Sequence, residues 1–132
     1  MATMQIDKAL FNTVSSDFFH LFNGEGRPEG KRITNFLSYR TEDVSVATGI
    51  PKNSIRYDNR MPDDLRERLS QWATAINLVG SFFQDEQKTM LWFQIPNPLL
   101  GNISPKQMIK MGRFKKLLNF IQNALSENEQ GF

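Results

Sequence analysis

Cysteine is missing from this chain of 132 residues. Its absence excludes disulfides, thiolate metal ligands and cysteine nucleophiles, so the fold must stand on packing alone. Also missing is any unbroken apolar run of about 18 residues, the length a membrane-spanning helix needs. No charged-then-apolar signal segment opens the chain, and the expected location is the cytoplasm. Histidine occurs once, at His20. Only Asp17 stands near it at helical spacing, too few partners for a metal ligand or general base, so a core-edge or surface position is favoured. The glycine-rich "NGEGRPEG" lacks the Lys-Ser/Thr and flanking strand of a phosphate loop. Adjacent Asp63 and Asp64 diverge on a helix and suit its positive end better than paired acid/base work. No catalytic residue, metal or cofactor is expected, and the chain does not read as an enzyme.

A large excess of either charge sign is missing as well. The formal net charge is +2, a weak argument for a polyanion partner, but the distribution is uneven. Basic residues gather at Lys31, Arg32 and Arg40, at Lys52, Arg56 and Arg60, and from Lys106 to Lys116. Acids gather at Asp63 to Glu67 and near the C-terminal end. Solvated helix faces would account for such clusters as well as a binding surface would.

What the chain has in quantity is apolar material at helical spacing. Eleven phenylalanines and an apolar share of 39% can fill the core of one compact domain or of two small helical lobes. Leu10, Val14, Phe18, Leu21 and Phe22 predict a leader helix from Ile6 to Phe22, ended by "NGEGRPEG". "KRITNFLSY" predicts a short helix with Ile33, Phe36 and Leu37 inward. Thr41 is positioned to cap the next helix, which Gly49 ends. The longest periodic stretch runs from Asp63 to Phe83 through Leu65, Leu69, Trp72, Ala73, Ile76 and Val79, and predicts a central buried helix. A shorter helix from Lys88 must stop near Ile95, because Pro96 disfavours helical geometry in the residue before it. Ser104 and Pro105 restart a helix with a cap and a pre-set first residue, and Gln107 can complete a capping box. Gly112 closes it, and a last helix carries Phe114, Leu117, Leu118, Ile121 and Leu125 on one face. "SENEQGF" reads as a polar end. The expected fold is all-α, a small helical domain divided into a leader (1–28), a helix-turn-helix region (29–62) and a helical dimerisation and partner-binding region (63–132).

"TEDVSVATGIPKNSIRYD" carries the helix-turn-helix pattern. Val44 and Ala47 would face inward, Gly49 would permit the turn, Ile50 would plug the junction and Ile55 would anchor a second helix starting at Pro51. That helix would present Lys52, Asn53, Ser54, Arg56 and Tyr57 to phosphates and base edges, with Arg56 as the base-contact candidate. Arg40, Lys31 and Arg60 could clamp the flanking backbone, and a homodimer would match two half-sites. Asp58 stands where such motifs often have an apolar anchor, and a purely structural helical corner remains the alternative.

"WFQIPNPLLGNISPKQMIKMG" reads as a helix-to-helix corner. Pro96 and Pro98 stiffen the link, Leu99 and Leu100 can pin it to the core, and Gly101 supplies a turn that residues with a Cβ resist.

Taken together, "ATGIPKNSIRY" and "WFQIPNPLLGNISPKQMIKMGRFKKLLNFI" resemble the antitoxins of the Xre/MbcA/ParS type from bacterial type II toxin-antitoxin pairs. The second stretch is similar to that family's order of Trp, Pro-Asn, a Leu-Gly turn, Ser/Thr-Pro, an apolar helix, Gly and a final amphipathic helix. Asn102 stands where the family usually has a second glycine, and "GRFKK" is more basic than its pattern. The resemblance implies an N-terminal DNA-binding half and a C-terminal half that binds a protein toxin, often of the RES type that consumes NAD. It also implies that the complex represses its own promoter. By that analogy the last helix covers the toxin's active-site entrance, through Arg113, Lys116, Asn119, Asn123 and the end beyond Ser126. A stand-alone helix-turn-helix transcription regulator, with C-terminal helices that only dimerise, is the alternative; a helical adaptor without DNA is a third reading.

Overall fold

The computed structural model describes residues 17–127. Among the described residues the chain is all-α, with six helices: α1 (Gly30–Phe36), α2 (Thr41–Thr48), α3 (Asp63–Phe83), α4 (Glu86–Gln94), α5 (Pro105–Lys110) and α6 (Phe114–Ser126). Short 3-10 turns occupy Lys52–Ser54 and Pro98–Leu100. Extended pairing is limited there to two isolated bridges, Phe22 with Pro28 and Asn97 with Ile103. None of the described helices is long and apolar enough to cross a membrane.

Helix α3 is the post around which the rest is built. Asp63 and Asp64 sit in its first turn, where the helix dipole favours acids. Leu65, Leu69, Trp72, Ala73 and Ile76 are buried at intervals of three and four, and the second half adds Ala75, Asn77, Leu78, Val79 and Gly80. A stripe thus widens into burial on most sides, which requires neighbours on several flanks. Helices α1, α4 and α6 all pack on α3. One continuous core joins Leu21, Ile33, Leu37 and Val44 from the front of the chain to Phe93, Ile109, Leu117 and Ile121 from the back. It crosses residues 28 and 62 without a break.

The leader departs from the expected helix. Residues 6–16 of that expected helix lie outside the described residues; Asp17 to Phe22 form a turn, with Asp17 and His20 at φ +43° and +55°. The Asp17 carboxylate explains it, accepting the Leu21 amide at 2.9 Å and the Phe22 amide at 3.0 Å. Its Oδ1 also accepts from Nδ2 of the fully buried Asn77 at 3.0 Å. Phe19 packs closely against Gly80, where a Cβ would stand 2.5 Å from its ring. The turn is therefore part of the core. Two starts also differ from expectation. Thr41 is the first residue of α2, and Arg40 precedes it as cap with its amide donating to Asp43 at 2.8 Å. Helix α4 begins two residues early, because Asp85 accepts the Lys88 amide at 2.8 Å.

The proline-rich corner is organised by Asn97. Its side chain accepts the Leu99 amide at 2.9 Å, and its carbonyl accepts the amides of Leu100 and Asn102, each at 2.9 Å. Gly101 adopts φ +77° as expected, and Asn102 adopts φ +64°. Asparagine tolerates that region through its short polar side chain, so it serves where glycine would otherwise be used. Ser104 caps α5 by accepting the Gln107 amide at 3.2 Å. Leu100 packs on the core, whereas Leu99 is 71% exposed and pins nothing.

Helix α2 is tied to the C-terminal part by polar as well as apolar contacts. Lys110 Nζ stands 2.7 Å from Asp43 Oδ1, the Tyr39 hydroxyl donates to the Lys106 carbonyl, and Arg68 donates to the Ala47 carbonyl at 3.1 Å. The ion pair holds the Asp43 carboxyl below its ordinary range, first through the Lys110 hydrogen bond and then through the Arg40 amide. Burial, and then the Asp43 charge, pushes the Tyr39 hydroxyl well above its usual value.

Candidate functional site

Two surfaces carry the residues singled out from the sequence. The first surrounds the turn after α2. Val44 and Ala47 are buried, Gly49 adopts φ +78°, and Ile50 and Ile55 pack against the core. That much matches a helix-turn-helix. The second helix does not form: Pro51 leads into a single 3-10 turn at Lys52–Ser54, and no further helix starts before Asp63.

Local chemistry accounts for the missing helix. Ile55 is extended at φ −84° and ψ 118°. The Asp58 carboxylate captures the Arg60 amide at 2.9 Å, a side-chain bond that competes with helical backbone pairing. Tyr57 packs flush on α1, so that a Cβ on Gly30 would come within 2.2 Å of its ring. The donor set is thus dispersed. Arg56 is forked onto Asp58 at 2.7 to 3.2 Å, which holds the Asp58 carboxyl below its ordinary range. Lys52 pairs with Glu42 at 3.4 Å. Tyr57 is half-buried and does not point outward; burial raises its hydroxyl pKa. Asn53, Ser54, Arg40, Arg60 and Lys31 are exposed, and the three cations among them make no ion pair among the described residues.

The second surface is the outer face of α6. Leu117, Ile121 and Ala124 are buried toward the core. Lys116, Asn119 and Asn123 recur at three and four residues on the opposite face, and with Arg113 at its start all four are exposed. Arg113, Lys115 and Lys116 make no ion pair among the described residues. The first turn of α6 holds no acid, so these cations add to the positive end of the dipole instead of being neutralised there. That arrangement costs helix stability. It also makes a donor-rich, electropositive stripe that suits carboxylates and backbone carbonyls of a protein partner. Phe120 flanks the stripe and stacks on Trp92 of α4 at 6.4 Å and 16°. The part of the expected partner-binding end from residue 128 onward lies outside the described residues.

His20 is exposed. Among the described residues no group of three metal-ligating side chains comes together. Sequence reasoning missed the organising role of Asn97 and the packing of Tyr57. Asn97 between two prolines, and Gly30 far upstream of Tyr57, were the available signals, and only the first is local. No protein-family model and no curated protein matches the chain.

Proposed function

We propose that this protein is an antitoxin that neutralises a protein toxin through the outer face of α6. The stripe of Arg113, Lys116, Asn119 and Asn123 supports the reading: four exposed donors on one helix face, with cations left unpaired at the helix's positive end. A helix that only dimerised or filled the core would gain by placing acids there. The corner ahead of it, with Asn97, Gly101 and Ser104 as the cap of α5, supports the resemblance to the antitoxin motif, from which Asn102 departs. Toxins of the NAD-consuming RES type are included in this proposal.

Autorepression belongs to the same proposal in altered form. Without a helix of groove-reading length, the turn at Lys52–Ser54 with Arg40 and Arg60 supplies phosphate contacts, and a homodimer doubles them. Base reading by Arg56 is not part of the proposal, since Asp58 occupies its guanidinium.

Co-expression with the product of the adjacent open reading frame tests the main claim. Growth arrest by that product should be relieved by the wild-type chain and not by a Lys116→Glu, Asn119→Arg variant. Relief by both would sink the reading.

A further inference from the structure

A groove of about 580 Å³ runs between α3 and the junction of α5 with α6. Its apolar lining comes from Trp72, Ile109, Phe114 and Leu118, and Arg68 and Lys115 stand beside it. No carboxylate lines it among the described residues. Arg68 donates to the Ala47 carbonyl at 3.1 Å, and neither cation has an acidic partner among the described residues. The groove adjoins the α6 face of Arg113, Lys116, Asn119 and Asn123 and includes none of those four residues; Lys115 stands on the groove side.

From this combination we infer that the groove docks an acidic segment of a protein partner, with a carboxylate against Arg68 and Lys115 and a bulky apolar side chain on the floor. Charge decides the occupant. Two unpaired cations beside the acid-free first turn of α6 favour an anion, while the apolar floor demands an apolar group with it. Nucleic acid fits less well: Trp72 is 1% exposed and Phe114 is half-buried, so neither ring offers a fully open face for a base to stack on. A basic or neutral peptide would leave both cations partly desolvated and unpaired. The inference does not depend on the neutralisation reading, since any acidic, apolar segment satisfies the chemistry.

Random-peptide display against the full chain supplies the probe. Selected peptides should place Asp or Glu beside Leu, Phe or Trp. A synthetic representative should shift the amide resonances of Gly112 and Leu118, weaken as salt rises, and bind about tenfold more weakly to Lys115→Glu and to Arg68→Glu. Lys116→Glu, on the neighbouring stripe, should bind it as wild type does. Lys115 is exposed, so its variant folds even if loss of the Arg68 hydrogen bond compromises the other. Peptides without acidic bias, equal affinity for Lys115→Glu and wild type, or shifts confined to Lys116 and Asn119 would overturn the proposal. So would displacement of the peptide by single-stranded DNA, or by a peptide of residues 126–132, which would assign the groove to nucleic acid or to the chain's own acidic end.

Discussion

Asp58 grips Arg56 through Nε at 2.9 and 3.2 Å and through Nη2 at 2.7 Å. The side chain that the sequence nominates for reading a base is therefore occupied by a neighbour two residues away. Because the pair is exposed, it adds little to stability, but it decides which cations are free. Arg56→Ala should change affinity for promoter DNA by less than about threefold. Asp58→Asn, which keeps an acceptor for the Arg60 amide, should raise it by about as much at low salt. Electrophoretic mobility titrations at two salt concentrations check both; loss of binding in Arg56→Ala would restore the base-reading assignment.

On the α6 stripe, Lys116→Glu with Asn119→Arg should lower toxin neutralisation about tenfold or more, the range of a central contact in an interface. Both residues are exposed, so the melting temperature should move by no more than about 2 °C. A large fall in melting temperature would mean that the stripe supports the fold instead of a partner.

Gly30→Ala should destabilise by about 1 to 3 kcal/mol, because its methyl would intrude on the Tyr57 ring. Combining it with Tyr57→Ala should cost less than the sum of the two single changes, since removing the ring removes the clash. Urea unfolding of the four proteins in this cycle measures the coupling, and strict additivity would place Tyr57 elsewhere.

Asp43 has its carboxyl pKa lowered in the folded chain, chiefly by the Lys110 hydrogen bond. Its contribution to stability is therefore fully present above the unfolded value of about 3.9 and is lost as pH falls through the lower folded value. With the side chains 24% and 32% exposed, solvent screening limits that contribution to about 1 kcal/mol. Asp43→Asn should destabilise by about this much at neutral pH and lose its deficit as pH falls through the lowered folded value. Parallel unfolding curves across that window would show whether the two proteins converge.

Asn102→Gly should leave the corner intact and stabilise it by a few tenths of a kcal/mol to about 1, since φ +64° is easier without a Cβ. Asn102→Val should cost about 1 to 2 kcal/mol. Thermal unfolding of the two variants separates them, and equal melting temperatures would deny the strain.

Local patterns were the legible part. Pro96 stops α4 after Gln94, Ser104 starts α5, and the spacing of Leu65, Leu69 and Trp72 yields α3 from Asp63 to Phe83. The buried face of α6 followed from the same arithmetic, with Leu117 and Ile121 inward; Lys116 and Asn119, named through the resemblance, lie outward. What failed depended on partners distant in the chain or on side chains bonding to nearby backbone. The helical spacing of Phe18, Leu21 and Phe22 could not reveal that Asp17 would take the amides of Leu21 and Phe22 and join Asn77. Nor could "KNSIRYD" reveal that Tyr57 would settle on Gly30 and that Asp58 would bind Arg56 and the Arg60 amide. Periodicity describes one element at a time; competition for a hydrogen bond or a packing site is settled between elements.

The Asp43 to Lys110 pair and the Tyr39 to Lys106 hydrogen bond have a practical consequence for anyone dissecting the chain. A cut at residue 62 would strand half of a shared core and expose Val44 and Leu37 on one fragment and Trp72 and Ile109 on the other. Neither piece should behave as an independent module. Amide exchange from α2, α3 and α5 should report a single opening event of equal free energy, a cooperative foldon spanning both halves. An operator contact near Lys52 and a partner on α6 would then be linked through the stability of one unit.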